Sequence, residues 1–277
     1  MNQNRSSRDS FSRDGSSQNS SSQNSSSQNI VSRAHHELFT DRDVGALERY
    51  FAPNFIEHSP LVKDGLTGLR ELVQTHPELH HETYRVLQDG DLVAIHGRFT
   101  GLDDQPLVGF DLYRVANGLI VEHWDGLVPQ SAPNASGRTQ LDGPIETGHN
   151  HDREKNRELV VNFFTRTLIE GHYDEFGNYT NGEAFRQHSP DIPDGTDEVI
   201  AFLKQLRNEG QGLHYAKIHR TVADGQFVLT HSEGSIAGAR HSYFELWRVE
   251  NGKVAELWDA ISPVPEDAQA LHRHGIF

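Results

Sequence analysis

The chain has 277 residues and is acidic, with 40 Asp and Glu against 25 Lys and Arg and a formal charge of −15. A negative field of this size argues against nucleic acid and anionic membranes as partners. The absence of cysteine excludes disulfides, thiolate catalysis and Cys-ligated zinc. No apolar run approaches the roughly 20 residues of a membrane span and no hydrophobic stretch at the N-terminus reads as a secretory signal, so a cytoplasmic protein is expected.

Residues 1–29 are a Ser/Gln/Asn run with almost nothing apolar to bury, which predicts a disordered tail. A first domain is expected over 30–130. Ile30, Ala34 and Leu38, then Val44, Leu47, Tyr50 and Phe51, recur at helical spacing. Phe55 to Pro60 is a short extended run closed by proline, Asp64-Gly65 is a turn, and Thr67 caps a helix to about Thr75. Strands over Glu82–Leu87 and Leu92–Thr100 flank an Asp89-Gly90 turn. Residues 131–152, rich in Ser, Pro, Gly and Asn, read as a linker. The same order then repeats over 153–277. His188-Ser189-Pro190 mirrors His58-Ser59-Pro60, Asp194-Gly195 mirrors Asp64-Gly65, and His231 mirrors His96. The chain is read as a duplication of one α+β domain.

The most ordered signal is a hairpin present twice, Phe110 to Asp125 and Phe244 to Asp259, each turning at Asn-Gly and ending on Trp-Asp. His123 and Asp125 share a face in any register, because strand side chains alternate. With a two-residue loop Ala116 pairs with Leu119 and Asp111 falls opposite Trp124. With a three-residue loop and Gly118 in the bulge position, Asp111 falls opposite His123 and joins that face. Burying two carboxylates and a histidine is costly unless they pair, so the three-residue loop is expected.

With these pieces in order (His58-Ser59-Pro60, Asp64-Gly65, Gly90 to His96, Arg114 to Asp125, and their second copies), the chain resembles the SnoaL-like group of the nuclear-transport-factor-2-like superfamily. The resemblance implies two tandem cone-shaped barrels, each a curved antiparallel sheet packed on N-terminal helices around an apolar pocket. Its members include polyketide cyclases performing intramolecular aldol chemistry, close to isomerases of the same fold. It further implies an acidic residue acting as acid/base without metal or cofactor, a role that falls by motif position on Asp125 and, in the repeat, Asp259. Domains of this fold commonly pair through the sheet, which implies an internal pseudo-dimer and leaves a further homodimer open.

Proton abstraction beside a carbonyl needs a base and a donor for the enolate oxygen. Asp125 beside Trp124 is the expected base, with His123 or a neutral Asp111 as donor. His58, His96, Tyr113, Trp124, His188 and Asp259 are the candidate substrate contacts, although Tyr113 and Trp124 weigh more toward core. The second copy carries Glu245 and Leu257 where the first has Asp111 and His123. Leucine cannot move a proton, so the active pocket is expected in the first domain.

No metal or cofactor is expected, since among the 18 histidines His35-His36, His76, His80-His81 and His149-Asn150-His151 lack the spacing of a metalloprotease motif. The leading expectation is a cofactor-free cyclase, aldol-type enzyme or isomerase on a small enolisable carbonyl compound. The alternative is a non-catalytic small-molecule-binding or scaffold protein of the same fold.

Overall fold

The computed structural model describes residues 17–148, 152–266 and 268–277. Residues 1–16 of the expected tail and His149-Asn150-His151 of the expected linker lie outside the described residues. The first unit runs α1 (Ser17–Phe39), α2 (Ala46–Tyr50), β1 (Phe51–Glu57), α3 (Gly65–Thr75), β2 (His80–Asp89), β3 (Leu92–Thr100), β4 (Leu107–Ala116) and β5 (Leu119–Pro129). The second runs α4 (Arg153–Phe163), α5 (Phe176–Tyr179), β6 (Arg186–Gln187), α6 (Thr196–Asn208), β7 (Leu213–Asp224), β8 (Phe227–Ile236), β9 (Ala239–Glu250) and β10 (Lys253–Pro263). Each unit forms one five-stranded sheet, ordered β1-β5-β4-β3-β2 and β6-β10-β9-β8-β7. The first strand of each lies parallel to the last, and the remaining pairs are antiparallel. The fold is two tandem α+β cones. Among the described residues, no helix is long and apolar enough to cross a membrane.

Helix α1 begins at Ser17, inside the run expected to be disordered. Val31, Ala34, Leu38 and Phe39 are buried against the first sheet. That packed stretch supplies the nucleus, after which each further residue adds one backbone hydrogen bond.

The central hairpins differ from expectation in one instructive way. Asn117 and Gly118 both have positive φ, 52° and 78°, and Ala116 pairs with Leu119 across a two-residue turn. The three-residue loop does not form. An extra residue, Val121, sits instead one step into β5, between the Val115–Ile120 and Arg114–Glu122 pairs. That bulge shifts every later pair by one, so Asp111 lies opposite Asp125 and Tyr113 opposite His123. All four side chains therefore share the inner face. The second hairpin repeats the device, with Glu250 paired to Lys253, a shift between Val254 and Glu256, and Glu245 opposite Asp259.

The outer faces of the two sheets pack on one another. Leu87, Phe110, Leu112 and Trp124 of the first unit cluster with Phe227, Phe244, Leu246 and Trp258 of the second. The contacts are reciprocal. The Arg85 guanidinium lies 4.3 Å over the Trp258 ring, and that of Arg220 lies 3.9 Å over Trp124. The Gln88 amide donates to Asp224, and that of Ala223 to Asp89. The described part of the segment expected to be a linker is held by hydrogen bonds to the second unit. Asn134 donates from Nδ2 to the carbonyls of Gln187, Ser189 and Ile192 at 2.7–3.2 Å. Each unit's trailing segment reaches the other unit's His-Ser-Pro turn. His188 Nδ1 donates to Thr139 O, and His58 Nδ1 to Gly275 O, both at 2.8 Å.

Candidate functional site

The two cones hold different interiors. In the first, β1 places Glu57 beside His123, and the bulge places Asp111 and Asp125 opposite each other. His123 spans two carboxylates, with Nδ1 2.8 Å from Glu57 Oε1 and Nε2 3.0 Å from Asp111 Oδ1. Glu57 Oε1 also accepts the backbone N–H groups of His58 and Ser59. Burial opposes charge on His123, but the Glu57 and Asp111 carboxylates outweigh it and hold the imidazole well above its usual range. Burial pushes Asp111 up, but the hydrogen bond and charge of the same imidazolium hold it below the ordinary carboxylate range. Asp125 accepts a 2.6 Å hydrogen bond from Ser59 Oγ. Burial, reinforced by Asp111 and Glu57, pushes its carboxyl up to about 7 against the pull of His123 and Ser59.

Little space surrounds this network. The first interior keeps a cavity of about 20 Å³ lined by Phe39, Leu69, Phe99, Asp111, His123 and Asp125 among others. That is room for about one water. Asp125 and Leu127 also border a groove of about 440 Å³ whose other wall includes Pro263, Val264 and Pro265 of the second unit.

The second cone is open. A cavity of about 410 Å³ is lined by apolar side chains including Phe176, Phe185, Val199, Leu203 and Trp247, with Asp259, Glu245 and Tyr215 among its polar groups. Strand register makes these three the counterparts of Asp125, Asp111 and His81. Burial pushes Asp259 up to about 6, with a hydrogen bond from Ser189 pulling against it. Burial and the neighbouring Asp259 push Glu245 well above the carboxylate range, although the Tyr215 hydroxyl, donating to its Oε1 at 3.0 Å, pulls it down. Glu245 Oε2 is buried with no partner among the described residues.

The expected residues thus divide by face. Asp111, Tyr113, His123 and Asp125 converge in the first cone and Asp259 lines the second cavity. His58, His96, Trp124 and His188 line neither cone cavity. They lie on the outer side, where His58 stacks on Trp124, His188 on Trp258 and His96 on Phe110. Trp124 points outward because it alternates with His123 and Asp125. A ligand-sized cavity with paired acids lies in the unit expected to be the weaker partner, while the groove of similar volume at the first unit reaches Asp125 alone of its inner acids.

Sequence reasoning missed four inner residues. Glu57 and Tyr215 complete the carboxylate sets just described. His35, from α1, and His81, from β2, meet Asp111, although no metal-ligand spacing pairs them in the sequence; one ligand atom from each lies within 4.8 Å of the other two. Burial lowers His35 well below its usual range and His81 to about 4, so both imidazoles are neutral. The buried orphan atoms His35 Nε2, His81 Nε2 and Asp111 Oδ2 each cost about 1–3 kcal/mol if left unpaired.

Residues 32–123 match the family model of the SnoaL-like domain. The first unit is a SnoaL-like domain. The second has the same strand order and the same paired acids, a layout compatible with tandem duplication. Among solved structures, TsrD from Streptomyces laurentii is 18% identical and aligns over 37% of this chain and 88% of its own, with a TM-score of 0.33. IdmH from Streptomyces antibioticus is 23% identical over 36% of this chain and 91% of its own, with a TM-score of 0.31. A SnoaL-like polyketide cyclase from Agrobacterium tumefaciens is 9% identical over 39% and 91%, with a TM-score of 0.32. No curated protein matches the chain.

Proposed function

We propose that the second SnoaL-like unit is a pocket for cofactor-free acid/base chemistry on a small enolisable carbonyl compound, of cyclase, aldol or isomerase type. The observation that carries this reading is the cavity of about 410 Å³ bordered by Asp259, Glu245 and Tyr215. Its size falls in the range of small-molecule sites, roughly 300–1,000 Å³. The first interior holds about 20 Å³, and the groove of about 440 Å³ beside it is bordered by Asp125 but by neither Asp111 nor His123.

The two acids take different roles because their environments separate them. Asp259, with a pKa of about 6, is ionised at neutral pH yet basic enough to take a proton from the carbon beside the carbonyl. Glu245, kept neutral by burial, carries its proton on Oε2 and donates it as a hydrogen bond to the developing enolate oxygen. The Tyr215 hydroxyl fixes the other oxygen of Glu245. Return of the proton at a different carbon gives isomerisation. Attack of the enolate carbon on a second carbonyl of the same molecule gives a ring, and the alkoxide formed there takes back the proton held by Asp259.

The test is deuterium exchange of the α-protons of an aromatic ketone, followed by proton NMR with the whole chain. Exchange above the buffer rate, lost in Asp259→Asn, supports the reading. Exchange unchanged in Asp259→Asn overturns it. Saturable ketone binding without exchange leaves a small-molecule-binding protein of the same fold.

A further inference from the structure

We infer that His35, His81 and Asp111 of the first unit form a site for one divalent first-row transition-metal ion of the zinc class, separate from the pocket of the second unit. The three come from α1, β2 and β4, and each is almost wholly buried. Each presents one polar atom with no hydrogen-bond partner among the described residues, His35 Nε2, His81 Nε2 and Asp111 Oδ2. A ligand atom from each lies within 4.8 Å of the others, and His35 Nε2 is 4.0 Å from Asp111 Oδ2. Two imidazole nitrogens and one carboxylate oxygen are a recurrent protein donor set for zinc, with a fourth position left for water or another ligand.

The opposite end of every ligand is held. His35 Nδ1 lies 2.8 Å from the Tyr113 hydroxyl, Asp111 Oδ1 lies 3.0 Å from His123 Nε2, and His81 Nδ1 lies 3.4 Å from Thr83 Oγ1. Bonds of this kind select the tautomer and aim the free nitrogen, as they do around bound metals. Zinc bonds of about 2.0–2.1 Å in a tetrahedron set ligand atoms roughly 3.4 Å apart. The 4.0 Å gap between His35 and Asp111 therefore closes by about half an ångström on binding, a small side-chain movement. The second unit cannot repeat the site, because Tyr215 occupies the strand position of His81 and Tyr215 already donates to Glu245.

The experiment uses the full chain without a histidine tag, stripped with chelator and titrated with Zn²⁺. Calorimetry gives the stoichiometry, and nitrogen-15 spectra of the imidazoles identify the ligands in the unaltered protein. The expected result is one zinc per chain, with the His35 and His81 ring signals moving and that of exposed His36 unmoved. Tyr113→Phe should weaken binding by about 10–100-fold, the usual cost of losing an orienting partner, and His81→Gln should weaken it further. No stoichiometric binding, movement confined to other histidines, or affinity unchanged in a folded His81→Gln would each overturn the site, leaving the three groups to share a buried water. The imidazole spectra decide the matter even if the variants do not fold.

Discussion

The two units share strand order, hairpin turn, bulge and a pair of facing acids, yet their interiors differ in opposite ways. The first fills its cone with a charged lattice, in which Glu57, His123 and Asp111 neutralise one another, and closes around it with Phe39 and Phe99. The second has Gln187 and Leu257 at the positions of Glu57 and His123, and by register Gly234 at that of Phe99. Without an imidazolium, Glu245 has no counter-charge and stays neutral. The same strand layout thus yields a compact ionic core in one unit and an open pocket lined by two buried acids in the other. The difference rests on a handful of side chains on one sheet face.

The strongest way to break this comparison is to remove the two aspartates in turn. Asp259→Asn should lower ketone α-proton exchange by about 10²–10⁴-fold, the usual share of general-base catalysis, while Asp125→Asn should change it little. The opposite ranking in the NMR exchange assay would return the active pocket to the first unit. Next in size is an exchange of interiors. His123→Leu, which imports the second unit's residue, strands two buried carboxylates and should cost about 3–5 kcal/mol in urea unfolding. Adding Glu57→Gln completes the second unit's pair and should recover part of that loss, with a coupling of about 0.5–3 kcal/mol. Strict additivity would show that the lattice is not a unit.

How much of this was readable in the sequence depends on whether the contact is local. The hairpins were, because Asn-Gly turns and alternating strands are short-range signals, and they carry Asp125 and Asp259 to the inner face. The bulge at Val121 was not, since nothing in the local residue pattern distinguishes a bulge at the turn from one a step beyond it, although both bring Asp111 inward. Tyr215 was hidden for a related reason. Strand β7 has two register shifts where β2 has one, so direct alignment sets Tyr215 against His80, while the sheet sets it against His81. The meeting of His35, His81 and Asp111 depends on how α1 crosses the sheet, which no sequence spacing encodes. Alternation along β5 turns Trp124 outward, in keeping with its weighting toward core, and His58, His96 and His188 stack on aromatic rings of the outer faces, a placement that depends on the second sheet and not on local spacing.

A pH series sharpens the contrast further. Asp259 titrates at about 6 in the folded chain, against about 3.9 for an unperturbed aspartate. The folded state therefore keeps a proton that the unfolded state releases first. The stabilising contribution of this group is complete below about pH 4 and is lost as the pH rises through about 6. Asp259→Asn should remove that dependence, so its stability relative to the parent should improve by up to roughly 3 kcal/mol between pH 4 and pH 8. Chemical denaturation at the two pH values measures it, and a constant difference would mean that Asp259 is not buried as an acid. In the same range the exchange rate should rise through about pH 6 and level off above it, because the base must be ionised.

The smallest effect concerns the face the units share. Gly126 follows Asp125 as Ala260 follows Asp259, but only the first copy is a glycine there. A Cβ at Gly126 would fall 2.3 Å from Cδ2 of Phe244. That ring cannot swing away, since it stacks between Phe110 at 6.2 Å and His231 at 4.1 Å. Gly126→Ala should therefore cost about 1–3 kcal/mol through overpacking, with Asp259 and its pocket untouched and ketone binding preserved. Calorimetry of the variant should show a lowered transition in which both units still melt together. A variant as stable as the parent would mean that the sheets are free to slide apart at Phe244, and that the two interiors are less rigidly joined than their reciprocal contacts require.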